Sequence, residues 1–215
     1  MNYWQDFEPE EFYHIYNKSV SGIRLFREDL DYQVFLSRFN TYLGECFELY
    51  AYVLMPNHFH LLVKVKSGNQ LSEFARTQKT VKSKLFLDQP SGLNDFVVDQ
   101  FKRWLSSYTI TYKNKYQHSG SVMMKRFKRI QSDSIEKNIY WLAYIHHNPI
   151  HHEYCKDYSQ WKYSSYNTYL TTKNTKLNRS QTLDKWFSSL DDFLQYHSNF
   201  KLDHNIDQID QQIDH

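Results

Sequence analysis

The chain has 215 residues, 40% hydrophobic and 18% aromatic, with eighteen Tyr, fifteen Phe and five Trp against five Gly and four Pro. This composition excludes disordered, collagen-like and low-complexity classes and predicts one compact domain, with or without an appendage. The net charge of +2 hides an asymmetry: residues 181 to 215 hold seven acids against Lys185 and Lys201, whereas residues 1 to 180 hold 24 basic and 17 acidic side chains.

Cys46 and Cys155 form neither a disulfide framework nor a Cys-x-x-Cys zinc site, which points to a reducing compartment. No window approaches the roughly 20 apolar residues of a membrane span, and the first residues carry no basic or apolar leader, so a cytoplasmic location is expected.

In chain order, Glu11 to Val20 has the aromatic and β-branched content of a strand, which Ser21-Gly22 breaks. From Asp29 or Asp31, Tyr32, Phe35, Leu36, Phe39 and Leu43 recur at helical spacing up to Gly44. Phe47 to Met55 and Phe59 to Val65 read as two strands of a hairpin around Pro56. Two helices are expected next, Leu71 to Phe86 and Phe96 to Tyr116, separated by a loop from Asp88 to Asn94. A strand within Val122 to Ile130 and a capped helix from Ser134 to Tyr144 follow. Residues 171 to 175 read as a polar connection to a short helix, Leu183 to Leu194, and the end from Asp203 as a frayed tail. This order predicts an α+β fold, a split β-α-β antiparallel sheet with helices packed on one face.

Leu54-Met55-Pro56-Asn57-His58-Phe59-His60-Leu61-Leu62-Val63 is the stretch richest in chemistry. Side chains at i and i+2 of a strand share a face. With Phe59 in the core, His58 and His60 converge on the opposite face, where two imidazoles begin a divalent-metal site; solvated or hydrogen-bonded histidines show the same local pattern. A second run, His146-His147-Asn148-Pro149-Ile150-His151-His152, reads as a structural helix terminus, because Pro149 is expected to interrupt the helix and scatter the imidazoles. Between Gln100 and Ser132 lie Lys102, Arg103, Lys113, Lys115, Lys125, Arg126, Lys128 and Arg129 with no acid among them, the footprint of a phosphate-backbone partner.

The stretch Tyr52 to Val63 closely resembles the signature of the HUH single-tyrosine transposases, in which two histidines flank a bulky hydrophobic residue. Ser107-Tyr108-Thr109 with Tyr112, Lys115, Tyr116 and Gly120-Ser121 resembles that family's nucleophile helix. Lys125-Arg126-Phe127-Lys128, Tyr144-Ile145-His146-His147-Asn148-Pro149-Ile150 and Trp161-Lys162-Tyr163-Ser164-Ser165-Tyr166 resemble landmarks of its REP-associated branch (the IS200-like transposase domain). The motifs keep their order from about Phe12 to Leu170.

The resemblance implies a ferredoxin-like sheet of the RNA-recognition type over residues 1 to 170, with 171 to 215 as an acidic C-terminal extension. It also implies cleavage and rejoining of single-stranded DNA beside hairpins such as repetitive extragenic palindromes, through a 5′-phosphotyrosine, by a monomer or homodimer. Tyr108 would be the nucleophile opposite His58 and His60, which would hold Mg²⁺ or Mn²⁺, imidazole suiting Mn²⁺ better. The amide ligand that a related branch takes one turn after its tyrosine falls here on Tyr112, with Asn114 and Gln117 as nearby alternatives. Arg103, Lys113, Lys115, Lys125, Arg126, Lys128 and Arg129 are the expected DNA contacts. Two other readings stand beside this one. One is a catalytically inactive hairpin or single-stranded nucleic-acid-binding module of the same fold; the other is a small-molecule hydrolase drawing on Glu45 or Glu48.

Overall fold

The computed structural model describes residues 3–20, 22–171 and 177–202. Four strands, β1 (Phe12–Lys18), β2 (Phe47–Leu54), β3 (His58–Val65) and β4 (Lys128–Ser132), form an antiparallel sheet in the order β2-β3-β1-β4. The fold is thus the expected α+β antiparallel one. β2 and β3 make the predicted hairpin around Pro56, with the Met55 N–H donating to the His58 carbonyl at 2.8 Å.

Period-2 alternation assigns the strand residues to two faces. Tyr13, Ile15, Phe59, Leu61 and Val63 share one face; His14, Tyr16, His58, His60 and Lys128 share the other. Nearly all of these side chains are buried, so both faces are covered. The first face carries α1 (Asp29–Leu43) and α4 (Leu93–Tyr116). Tyr32, Phe35, Phe39 and Leu43 of α1, and Phe96, Phe101, Trp104, Tyr108 and Tyr112 of α4, are spaced three to five residues apart and buried. Their rings meet Phe59, with Phe35–Trp104 at 4.5 Å, Phe35–Phe59 at 5.1 Å and Phe59–Trp104 at 5.5 Å. The second face carries α5 (Ile135–His151), a layer beyond the one-sided packing expected.

Several elements differ from their sequence reading. The helix expected over Leu71 to Phe86 is two, α2 (Gly68–Thr77) and α3 (Val81–Asp88), because Thr80 leaves the helix to cap the second, its hydroxyl accepting the Ser83 N–H at 3.0 Å. The last predicted helix likewise divides into α7 (Arg179–Trp186) and α8 (Leu190–Ser198), Ser189 accepting the Asp192 N–H at 3.1 Å; between α5 and these lies the short α6 (Tyr166–Tyr169). Of the strand sought in Val122 to Ile130 only the end pairs as β4, while Met123 bridges to Ser19.

α5 does not stop at Pro149. It passes through the proline to His151, and the His152 N–H still donates to the Asn148 carbonyl at 3.0 Å. The missing proline N–H costs one helical bond without ending the helix. Residues 172 to 175 of the expected connection, and the tail from Asp203, lie outside the described residues.

Candidate active site

His58 and His60 do converge on one face of β3, yet the helix that meets them is α5. His58 is 2% exposed, and its Nδ1 lies 2.8 Å from Asn57 Oδ1 and its Nε2 2.9 Å from Asn148 Oδ1. His60 is fully buried. Its Nδ1 lies 2.9 Å from His14 Nε2, and its ring sits 5.7 Å from that of Tyr144, at 79°. Tyr144 and Asn148 are four residues apart on α5, so they share one helix face. Tyr16 stacks on His60 at 5.4 Å and 14°, and Trp141 on His14 at 4.1 Å.

Tyr108 is elsewhere. Its ring packs on Phe35 at 4.9 Å, on the Phe59 face of the sheet, and its hydroxyl donates to the Leu25 carbonyl at 2.6 Å. Burial, with the nearby Asp31 charge, pushes this phenol well above its ordinary pKa, the reverse of what an attacking phenolate needs. The expected apposition of Tyr108 with the two histidines is therefore not found, because the sheet separates them. Asn114 and Gln117 are exposed at the end of the same helix, where the Gln117 amide donates to the Asn114 carbonyl; neither reaches the imidazoles.

The amide that does reach them is Asn148, in the His146–His152 run whose proline makes it read in sequence as a helix terminus. The topology held the missed signal. β1 and β2 are parallel, as are β3 and β4, so right-handed crossovers put α1 and α4 on the same face, and Phe59 is the residue pointing there. The histidines must then face whatever follows β4, which is α5.

Burial holds His58 at about 3 and His14 at about 3, and His60 also well below the ordinary histidine range, so all three rings are neutral near pH 7. A neutral imidazole carries one N–H. His58 has oxygen acceptors at both nitrogens, so with Nδ1–H donating to Asn57, the Nε2 and Asn148 Oδ1 lone pairs face each other across 2.9 Å. His60 Nε2 and Asn148 Nδ2 are buried without hydrogen-bond partners. If His60 Nδ1–H donates to His14, its Nε2 lone pair likewise stays open. Two imidazole nitrogens and an amide oxygen with unmatched lone pairs fit a divalent cation such as Mn²⁺. Among the described residues no group of three or more His, Cys, Asp or Glu is set to hold a metal, so an amide is needed to complete the set.

The other histidines of the second run are structural. His146 Nδ1 lies 2.9 Å from His197 Nε2 and its Nε2 2.8 Å from Ser165 Oγ, tying α5 to α8 and to β2's neighbour; His147 meets the Tyr158 hydroxyl at 3.0 Å. Glu45 pairs with Lys66, and Glu48 accepts from Tyr50 and Asn178, so both acids are committed away from the imidazoles.

The expected DNA-contacting cations divide into two groups. Arg129 is 7% exposed, donates to the Gln5 carbonyl, and lies over the Phe7 ring at 4.7 Å; Lys115 pairs with Glu28 at 2.6 Å and Asp31 at 2.5 Å. These two hold the fold together. Arg103 reaches Gln78 and Gln100. Lys113 and Lys125, with Lys102, line a groove of about 240 Å³ that also presents Ser106, Thr109 and Ser121, and none of the three lysines has an ion-pair partner among the described residues. Arg126 lies 5.9 Å from the Trp4 ring, and Lys128 reaches over Tyr16 at 5.6 Å, beside the histidines. Lys18, opposite His58 in the β1–β3 register, is a cation near the site that the charge count passed over.

The site is thus an antiparallel sheet of an α+β fold with paired histidines under a tyrosine-bearing helix, rimmed by cations. Residues 24–118 match the family described as "Transposase IS200 like", a stretch that includes both histidines but not α5. The chain shares its fold with the solved structure of a REP-associated tyrosine transposase bound to a REP hairpin: the TM-score is 0.57 at 14% identity, over 79% of this chain and 85% of that one. No curated protein matches the chain. No helix among the described residues is long and apolar enough to cross a membrane.

Proposed function

We propose that the protein is a metal-dependent strand transferase acting on single-stranded DNA beside hairpins, with Tyr144 as nucleophile and His58, His60 and Asn148 as the residues that hold Mg²⁺ or Mn²⁺. The observation that carries this reading is the approach of α5 to β3: one helix turn brings a phenol beside His60 and an amide oxygen within 2.9 Å of His58. The hairpin bound by the structural relative supports the class of substrate.

The chemistry follows from these groups. The Tyr144 Oη–P bond forms as the P–O3′ bond breaks; the phenolic proton passes to solvent, and the departing 3′ oxygen takes one up. A 3′-hydroxyl attacking the phosphotyrosine reverses the step, so rejoining needs no ATP. The bound cation would neutralise charge on the non-bridging phosphate oxygens. His14 holds the His60 ring, Asn57 the His58 ring, and Lys18 and Lys128 offer positive charge at the rim. The cations around the 240 Å³ groove would hold backbone phosphates further along the DNA.

One observation favours the alternative, a binding module without cleavage. Tyr144, Asn148, His58 and His60 are each no more than 2% exposed, so a phosphodiester reaches them only after α5 shifts from the sheet. The test uses the wild type, Tyr144→Phe and Tyr108→Phe with 5′- and 3′-labelled hairpin DNA, in Mn²⁺, Mg²⁺ or EDTA, on a denaturing gel. The expected result is a covalent adduct retaining the 3′ label with wild type and Tyr108→Phe, absent in Tyr144→Phe and in EDTA. An adduct lost only in Tyr108→Phe would return the nucleophile to α4; tight binding with no adduct would leave the binding module.

A further inference from the structure

The exposed aromatic residue at the N-terminal edge of the sheet has no part in the site described above. Of the five tryptophans, Trp104 and Trp141 are buried and Trp161 and Trp186 half-buried, whereas Trp4 is 45% exposed.

Nor is Trp4 on a fraying end. The Arg129 N–H donates to the Tyr3 carbonyl at 2.8 Å, Trp4 bridges in parallel to Arg129, the Gln131 N–H donates to Gln5 Oε1 at 2.7 Å, and the Phe7 N–H to Asn94 Oδ1 at 3.1 Å. Residues 3 to 7 thus lie along the outer edge of β4 as a fixed shelf.

Cations alternate with rings along this edge. Arg126 lies 5.9 Å from the Trp4 ring, Lys128 4.7 Å from Tyr3 and 5.6 Å from Tyr16, and Tyr16 stacks on His60. On the far side, Lys125 belongs to the groove that Lys102 and Lys113 also line. Trp4 thus belongs to an edge whose cations lead in sequence from the lysine-lined groove, through Lys125 and Arg126, to Lys128 over Tyr16 beside the histidines. Interleaved rings and cations suit single-stranded nucleic acid, whose bases expose their faces; duplex bases are stacked on one another and cannot occupy an indole.

We propose that Trp4 is a stacking subsite for one unpaired base in the flank that runs from the hairpin to the reacting phosphate, with Arg126 and Lys128 on the phosphates either side. This deepens the reading of the protein as a DNA strand transferase and rests on it. The rigid shelf lowers the entropic cost of capture, and the subsite distinguishes a hairpin with an unpaired flank from a blunt one.

The test is equilibrium binding in EDTA, where no cutting occurs, of fluorescent hairpins with and without a single-stranded flank to the full-length protein, Trp4→Ala and Trp4→Phe. Wild type should prefer the flanked hairpin. Trp4→Ala should weaken that complex about 5- to 150-fold and leave the blunt hairpin unchanged, with Trp4→Phe close to wild type. An abasic nucleotide scanned through the flank should cost as much at one position in wild type and nothing further in Trp4→Ala. Equal losses on both hairpins, or none on either, would overturn the subsite while leaving DNA binding intact. Wild type that binds neither hairpin would overturn the strand-transferase reading, and the subsite with it.

Discussion

One face of the sheet meets its helices through carbon, the other through nitrogen and oxygen. Under α1 and α4, Phe35, Phe59 and Trp104 interlock, with Trp104 Nε1 donating to the Phe35 carbonyl at 3.2 Å and the Tyr108 hydroxyl to that of Leu25, while Tyr112 Oη and Gln100 Nε2 stand apart from one another along α4 without hydrogen-bond partners. Under α5 the side chains are just as buried, yet His60 Nε2, His14 Nδ1 and Asn148 Nδ2 lack hydrogen-bond partners. An unsatisfied buried polar group costs about 1–3 kcal/mol. A fold tolerates several such atoms in one place when they serve a ligand, and those under α5 belong to residues that meet around His58 and His60, so neither burial nor a lone unmatched atom separates core from site on this sheet, whereas their clustering does.

The largest expected effect lies on the carbon face. Phe59→Ala should lower unfolding free energy by about 3–5 kcal/mol through a cavity beneath Phe35 and Trp104, measured by denaturant titration. On the other face, the paired change His14→Phe with His60→Leu removes two unmatched atoms and should leave metal-free stability unchanged or raised. A loss above about 2 kcal/mol would show that the two faces are held together in the same way.

Next comes acidity. Burial holds His197, the α8 partner of His146, at about 4, against about 6.5 in an unfolded chain. Between those values the unfolded chain takes the proton and the folded chain does not. Stability is therefore full above about pH 6.5 and declines as pH falls towards 4, by about 3 kcal/mol from this one group. His197→Gln should flatten the fall of melting temperature across that window; an unchanged slope would mean that α8 releases His197 before the chain unfolds.

The strand pattern was legible because alternation is local: Phe59 between two histidines fixes which side each ring takes. The partner of the histidine face was not, because α4 and α5 each carry tyrosines at helical spacing and the choice between them is made by chain crossing, which no window of residues contains. Pro149 added to the error. A proline is read as a helix end, yet here α5 runs through it and brings Asn148 to His58. Among the cations, charge is legible in the sequence but company is not, so Arg129 and Lys115 look no different there from Lys113.

A smaller effect tests how the nitrogen face is ordered. His14→Phe keeps a ring against Trp141 but removes the acceptor at His60 Nδ1. Mn²⁺ affinity, followed by the loss of the free-ion paramagnetic resonance signal, should fall about 10- to 100-fold, with His14→Gln recovering part of it. Equal affinities in all three proteins would mean that His60 needs no second residue to orient it.

The smallest effect separates cations by their partners. Each phosphate neutralised on single-stranded DNA contributes about 0.7 to the slope of log affinity against log salt, and about 0.9 on duplex. Lys113 lines the groove without an ion pair, whereas Lys115 is already paired with Glu28 and Asp31. A phosphate gains little from a cation that must first leave two carboxylates. Lys113→Ala should therefore reduce the slope by close to one full contact, and Lys115→Ala should leave it nearly unchanged while lowering stability. Hairpin binding titrated between about 50 and 200 mM salt resolves the two, because one contact is worth only about 3-fold across that range. Equal slopes for both variants would mean that DNA pulls Lys115 from its acids, and that pairing in the free protein does not mark which cations the DNA uses.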